Sequence, residues 1–191
     1  MDESRNHLAY NCELADIDAV IVDESRFVQT LMRTILLPLR FKRIRFYNTA
    51  KDALDDILHD PPNLLITDWR VVDSAGRPLA KVLRHKQMGS AACMPILVTM
   101  AHPTRRDAEK AFRYGVQAIL AKPFSQNALQ KRIQWILKDR RPMTLASEHF
   151  IIEGLTAVLC EKLGVSRSQQ DYKVISDEEA DKKLQVQVQA A

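Results

Sequence analysis

The sequence predicts an α/β protein built on a doubly wound parallel sheet, and three features of its 191 residues lead there. Short apolar, β-branched runs recur without polar alternation, at 17–22, 64–67 and 95–98, as strands buried on both faces do. Between the strands lie stretches with apolar residues at helical spacing, most of them preceded by a side chain able to cap a helix. The connections are short. Strands alternating with helices in this way give a single parallel sheet covered on both faces.

Taken in order, residues 17–22 (IDAVIV) read as the first strand, ending at Asp23-Glu24. Ser25 can cap a first helix with Phe27, Val28, Leu31, Met32, Ile35 and Leu36 at helical spacing, and Pro38 ends or kinks it. Arg43–Tyr47 is a short β-prone run, after which Asn48 or Thr49 can cap a helix bearing Ala53, Leu54, Ile57 and Leu58. The breakers Pro61-Pro62-Asn63 precede the third strand, Leu64–Thr67, which ends in Asp68-Trp69. A third helix is expected near Leu79–Met88, broken by Gly89 and Ser90. Pro95–Val98 is the fourth strand, ending in Thr99, and Thr104 caps a helix through Tyr114 that Gly115 stops. Val116–Ala121 leads into Lys122-Pro123, and Ser125 caps a fifth helix to about Asp139 with Leu129, Ile133, Ile136 and Leu137 on one face.

The totals exclude several classes. Hydrophobic residues make up 46% and charged residues 27%, a normal globular balance, and no apolar run approaches the ~18 residues of a membrane span. Membrane insertion is therefore not expected, and the polar start MDESRNHLAYNCELAD shows no secretory signal. Cys12, Cys93 and Cys160 match neither a metal spacing nor a disulfide framework, which points to a reducing cytoplasm. The net charge of +4 hides an asymmetry: residues 1–16 sum to −3, 141–191 to −2 and 17–140 to +9. A basic core suits nucleic acid, an acidic protein partner or its own tails.

In open α/β sheets ligands sit at the carboxyl ends of the strands. Asp23-Glu24, Asp68, Thr99 and Lys122 all fall there, so the predicted fold gathers them at one edge. Three clustered carboxylates repel one another unless a cation sits among them, and a hard divalent ion such as Mg²⁺ with oxygen ligands does that. Lys122 adds a second positive charge and Thr99 a hydroxyl. A carboxylate in such company can attack a phosphoryl group and hold the resulting acyl phosphate.

With these motifs in place (VIVDES, LLITDW, PILVTM and AKPF), residues 17–140 resemble the CheY-like receiver domain of two-component response regulators. The resemblance implies sheet order 2-1-3-4-5, Asp68 as phosphoacceptor, and Mg²⁺ held by Asp23, Glu24, Asp68 and the main-chain carbonyl of Arg70. It further implies that Thr99 and Lys122 bind the phosphoryl group and that the Lys122-Pro123 bond is cis. The implied function is a phosphorylation-driven switch that takes its phosphoryl group from a histidine kinase or a histidine phosphotransfer protein and acts on a downstream protein. It is a regulator rather than an enzyme, limited to self-phosphorylation and slow acyl-phosphate hydrolysis.

Several positions depart from the family. Arg70 puts a long cation beside the site, where it would aid donor docking, shield the phosphate or point to solvent. Met100 follows Thr99 where the family has a small residue, and its bulk is expected to narrow access to a site whose rim also carries Trp69 and Arg70. The family's switch aromatic is Ile119 here, which leaves Thr99 movement with aliphatic repacking. The loop after Asp68 reads Val71-Val72 in place of Met-Pro. A degenerate, unphosphorylated receiver is thus an alternative. A haloacid-dehalogenase-type phosphohydrolase is another, although it wants an Asp where Arg70 stands. The basic series Lys131, Arg132, Lys138, Arg140 and Arg141 is either a recognition face or a solvated one, and His59, His85 and His102 show no ligand spacing.

Residues 1–16 read as a polar extension and 141–191 as a C-terminal extension. In the latter, Ser147 caps a single amphipathic helix of about 147–163 bearing Phe150, Ile151, Leu155, Val158 and Leu159. Such a helix needs a cover: the receiver, a homodimer partner or a small output module. Residues 147–175 also offer a reduced helix-turn-helix, but the tail is net acidic and phosphate contacts need bases, so DNA is disfavoured. Residues 176–191 read as a flexible polar end.

Overall fold

The apolar run after Asp16 forms strand β1 (Asp18–Val22), one of the inner strands of a five-stranded parallel sheet in a computed structural model that describes residues 5–154. The remaining strands are β2 (Arg43–Tyr47), β3 (Leu64–Asp68), β4 (Ile96–Met100) and β5 (Ala118–Ala121), in spatial order β2-β1-β3-β4-β5. Side chains alternate between the two faces. Val20, Val22, Leu65, Ile96 and Val98 pack with α2 (Ala50–His59), α3 (Leu79–Leu83) and α4 (Arg105–Arg113). Ala19, Ile21, Leu64, Ile66 and Leu97 pack with α1 (Arg26–Leu36) and α5 (Gln126–Leu137). Every residue of β3 and β4 is buried, which explains why neither strand alternates in sequence. Among the described residues no helix is long and apolar enough to cross a membrane.

The helix starts follow their caps. Ser25, Thr49, Thr104 and Ser125 each accept a backbone N–H from three residues on, and Thr104 with Asp107 completes a capping box. Gly115 closes α4 at φ +69°, a left-handed conformation that glycine adopts without strain. Pro38 falls in a 3-10 turn, Leu37–Leu39, directly after α1.

Two regions differ from the sequence expectation. Helix α3 ends at Leu83 rather than near Met88, because the chain turns extended at His85 and continues as 3-10 turns over Lys86–Cys93. The expected helix from Ser147 is instead a hairpin of β6 (Met143–Ala146) and β7 (His149–Ile152). Ser147 occupies its turn at φ 57°, so it does not cap a helix, and Phe150 and Ile151 belong to β7. The hairpin buries Met143, Phe150 and Ile152 against Ala92 and Cys93. At about 2 kcal/mol for each large buried side chain, this supports a two-stranded unit that would be marginal alone. The helix-turn-helix reading loses its first element with that correction. The rest of the expected helix, the remainder of 147–175 and the polar end lie outside the described residues.

The N-terminal segment is tied to the 3-10 turns before β4, to the end of α5 and to the hairpin. Ala9 is fully buried, Leu8 N–H donates to Cys93 O (3.1 Å) and Asn11 N–H to Leu137 O (2.9 Å). Arg5 and Met143 exchange two backbone hydrogen bonds.

Candidate functional site

Asp23 lies one residue beyond β1, 3% exposed, and is fixed from both neighbouring elements. Its N–H donates to Tyr47 O (3.2 Å), and its Oδ1 accepts the Ser25 N–H (2.9 Å) at the start of α1. Asp68 ends β3 at 4% exposure and is register-paired with Thr99 of β4. Lys122 follows β5; its N–H donates to Met100 O (2.7 Å), and the Lys122-Pro123 bond is cis. The side chain turns back across the sheet edge. Lys122 Nζ donates to Asp23 Oδ2 (2.7 Å) and also to Asp68 Oδ2. Residues 23, 68, 99 and 122 are thus brought to one edge by strand order alone.

One ammonium faces two buried carboxylates here. Burial alone would push the Asp68 carboxyl up, but the Lys122 hydrogen bond, the Arg70 N–H and the Lys122 charge together hold it below the usual carboxylate range. Asp68 is therefore ionised at neutral pH. Glu24 is exposed and lines a small cleft with Asp23, Asp68, Arg70 and Val71. Three carboxylates against Lys122 and the more exposed Arg70 still leave a negative charge uncompensated, and hard oxygen donors are the chemistry a divalent cation requires. Among the described residues no three acids already stand in ligating geometry. The donor set fits Mg²⁺ by its chemistry.

Arg70 leans over the site. Its N–H reaches Asp68 Oδ1 at 2.8 Å and its Nε lies 3.3 Å from the same oxygen, while the side chain is 77% exposed. Trp69 donates its N–H to Thr99 O (3.0 Å), and its ring stacks on Tyr114 with centroids 6.1 Å apart. Thr99 Oγ1 lies 3.5 Å from Thr67 O, a long contact that leaves the hydroxyl loosely held. Ile119 is partly buried against the α2–α4 layer.

Met100 is placed otherwise than its sequence position suggested. It is 4% exposed in the α2–α4 layer and is not among the residues lining the cleft. Strand alternation accounts for this, because Met100 points to the face opposite Thr99. Val71, 2% exposed, lines the cleft in its stead. In the basic series, Arg141 is engaged by Asp139 and lies over Trp135 at 5.0 Å.

Sequence reasoning missed Gln29. Its amide donates to Asp23 O (2.7 Å), Tyr47 O (3.0 Å) and Asn48 Oδ1 (2.7 Å), tying α1 to the loops that carry the first acid. A glutamine one turn into a helix gives no signal in a single sequence. Arg84 was missed too, although its i+4 spacing from buried Ala80 puts it on the apolar face of α3.

A doubly wound sheet with acids, a hydroxyl and an ammonium at its switch point defines a class of phosphoacceptor-type signalling domains. This chain belongs to the response regulator receiver domain family, whose model matches residues 19–134. It is similar to the regulatory protein LuxO of Vibrio vulnificus, at 31% identity over 110 residues, covering 58% of this chain and 23% of that protein. The chain thus spans about a quarter of the length of the curated relatives it matches. Among solved structures, a putative response regulator from Chloroflexus aurantiacus aligns with TM-score 0.57 and 25% identity, covering 65% of this chain and 99% of that one. The receiver domain of a sensor histidine kinase from Pseudomonas aeruginosa, solved with a magnesium ion coordinated in its active-site cleft, aligns with TM-score 0.54 and 21% identity. The latter covers 64% of this chain and 98% of its own.

Proposed function

We propose that this receiver takes a phosphoryl group onto Asp68 from a phosphohistidine on a histidine kinase or histidine phosphotransfer protein. The observation that carries the proposal is Lys122 Nζ lying between Asp23 and Asp68, which are 45 residues apart in sequence. An Asp68 oxygen attacks phosphorus, the N–P bond to the donor imidazole breaks, and an acyl phosphate forms. Asp68 is ready for this because its neighbours keep it ionised. Lys122 then has a phosphoryl oxygen to hold in place of a bare carboxylate, and Thr99 has only a long contact to give up in order to reach it. Mg²⁺ bound by Asp23, Glu24, Asp68 and the Arg70 carbonyl would neutralise charge on the transferring group.

A donor histidine must come close to Asp68, so the surface beside the cleft must be covered during transfer. Phe27, on the first turn of α1 and 78% exposed, is placed to meet it. The output is proposed to be a contact with a downstream protein in the cytoplasm. The test is incubation of the full chain with acetyl phosphate, with and without Mg²⁺, beside Asp68→Asn. Mg²⁺-dependent mass gain in wild type alone supports the reading. No gain from acetyl phosphate or from a panel of phosphorylated histidine phosphotransfer proteins leaves a degenerate receiver.

A further inference from the structure

The surface at the far end of α1 does not take part in the site chemistry. There, Leu37, Phe41, Ile44 and Phe46 form an apolar groove of about 250 Å³, bordered by Arg33, Lys42 and Arg43. Leu37 is 68% exposed. Leu37 is twelve residues beyond Ser25, which at 1.5 Å per helical residue is about 18 Å along the axis, so an occupant of the groove leaves the Asp68 cleft open.

The border is unevenly neutralised. Arg43 is paired with Asp18 and Asp60 (2.6 Å). Among the described residues Arg33 and Lys42 have no carboxylate partner, and Arg33 lies over the Phe46 ring at 3.8 Å. Uncompensated cations around an apolar floor select an occupant with apolar anchors and flanking acids. A second copy of this chain would bring two such cationic borders together, which opposes self-association here. A nucleic acid would need an open aromatic face for base stacking, and Arg33 already covers that of Phe46.

We propose that this α1–β2 groove docks an acidic amphipathic helix of a partner protein, with leucine-type anchors on the floor and carboxylates at Arg33 and Lys42. Floor residues from a helix end and an adjoining strand suit anchors at i, i+3/i+4 and i+7. The +9 charge of residues 17–140 steers such a partner.

The probes are a fluorescein-labelled designed helix with leucines at that spacing flanked by glutamates, a twin with lysine for glutamate, and a labelled oligothymidylate. The full chain is expected to bind the acidic helix with a Kd of about 10–100 µM, and the basic twin at least about tenfold more weakly. Leu37→Glu/Lys42→Glu, both at exposed positions, should weaken the acidic helix about tenfold or more while the thermal melt and acetyl phosphate labelling stay unchanged. Amide shifts on titration should fall on Leu37, Phe41 and Phe46. Equal binding of the two helices, an unaffected double variant, shifts elsewhere, or tighter binding of oligothymidylate would each overturn the proposal.

Discussion

Two cations, one at each edge of the sheet, are held in opposite ways: Arg84 is buried, while the Lys122 side chain keeps 15% of its surface exposed. Lys122, at the carboxyl edge, meets two carboxylates beside a cleft. Arg84, at the amino edge, meets no charge at all. Its guanidinium makes five hydrogen bonds, to Gly115 O (twice), Ala92 O, Met94 O and Gln117 Oε1, at 2.8–3.0 Å. Burial pushes its pKa down to about 9, still protonated at neutral pH. Four of the five bonds to Arg84 are made by main-chain carbonyls that cannot leave, so its charge joins α3, the turn before β4, and the α4–β5 loop. Its own carbonyl accepts the Phe150 N–H (2.8 Å) of the hairpin. The partners of Lys122 are side chains at a solvent edge, with acids in excess, so a phosphoryl group can enter and rearrange them. The contrast separates a cation that holds structure from one placed to change partners.

Arg84→Met breaks the comparison most severely. It leaves buried acceptors without a donor, and a loss of about 3–5 kcal/mol in stability is expected by urea denaturation. Asp68 labelling of the fraction that stays folded should be unchanged. Lys122→Met should do the reverse. Labelling by acetyl phosphate falls about 100-fold, the Asp68 pKa rises in a carboxyl NMR titration, and the melt moves far less than for Arg84→Met. If the two variants lose stability and labelling in parallel, the division of roles is wrong.

A smaller effect sharpens the amino edge. His7 is 3% exposed, and its ring lies beside the backbone of Ile136 and Asp139. Burial lowers its pKa, only partly offset by Asp139. A lowered histidine pKa means that the unfolded chain takes up the proton first. Stability therefore falls as pH drops below the ordinary histidine value of 6.5, until the folded pKa is reached. Within that window the loss is at most about 1.4 kcal/mol per pH unit per group. His149, lowered by burial and then by His85, adds a slope of the same sign. Urea midpoints at pH 7.5 and 5.5 should therefore draw together in His7→Leu without becoming equal. Arg70→Ala is the mildest change. With a side chain 77% exposed, Arg70 should alter the acyl-phosphate lifetime less than about threefold.

The carboxyl edge was legible in the sequence and the amino edge was not, for physical reasons. Buried parallel strands write themselves as unbroken apolar runs, and each site residue follows one directly, so strand order delivers Asp23, Asp68, Thr99 and Lys122 together. The hairpin is made of two four-residue strands whose turn holds Ser147 at positive φ, without the Asn-Gly or Asp-Gly that announces such turns. Phe150, Ile151 and Leu155 also fit a helical spacing, and only the docking surface of Ala92 and Cys93 decides against it. Met100 was misplaced because its position after Thr99 was weighed and the alternation of β4 was not. Arg84 resembles any surface arginine until the carbonyls that surround it are folded into place.

The account rests on Asp68 being the nucleophile that accepts the phosphoryl group, and locating the phosphoryl group tests that directly. After Mg²⁺-dependent labelling, borohydride reduction of the acyl phosphate followed by peptide mass spectrometry should mark residue 68 and no other, and Asp68→Asn should carry no mark. A mark on another residue, or equal labelling of Asp68→Asn, would contradict it.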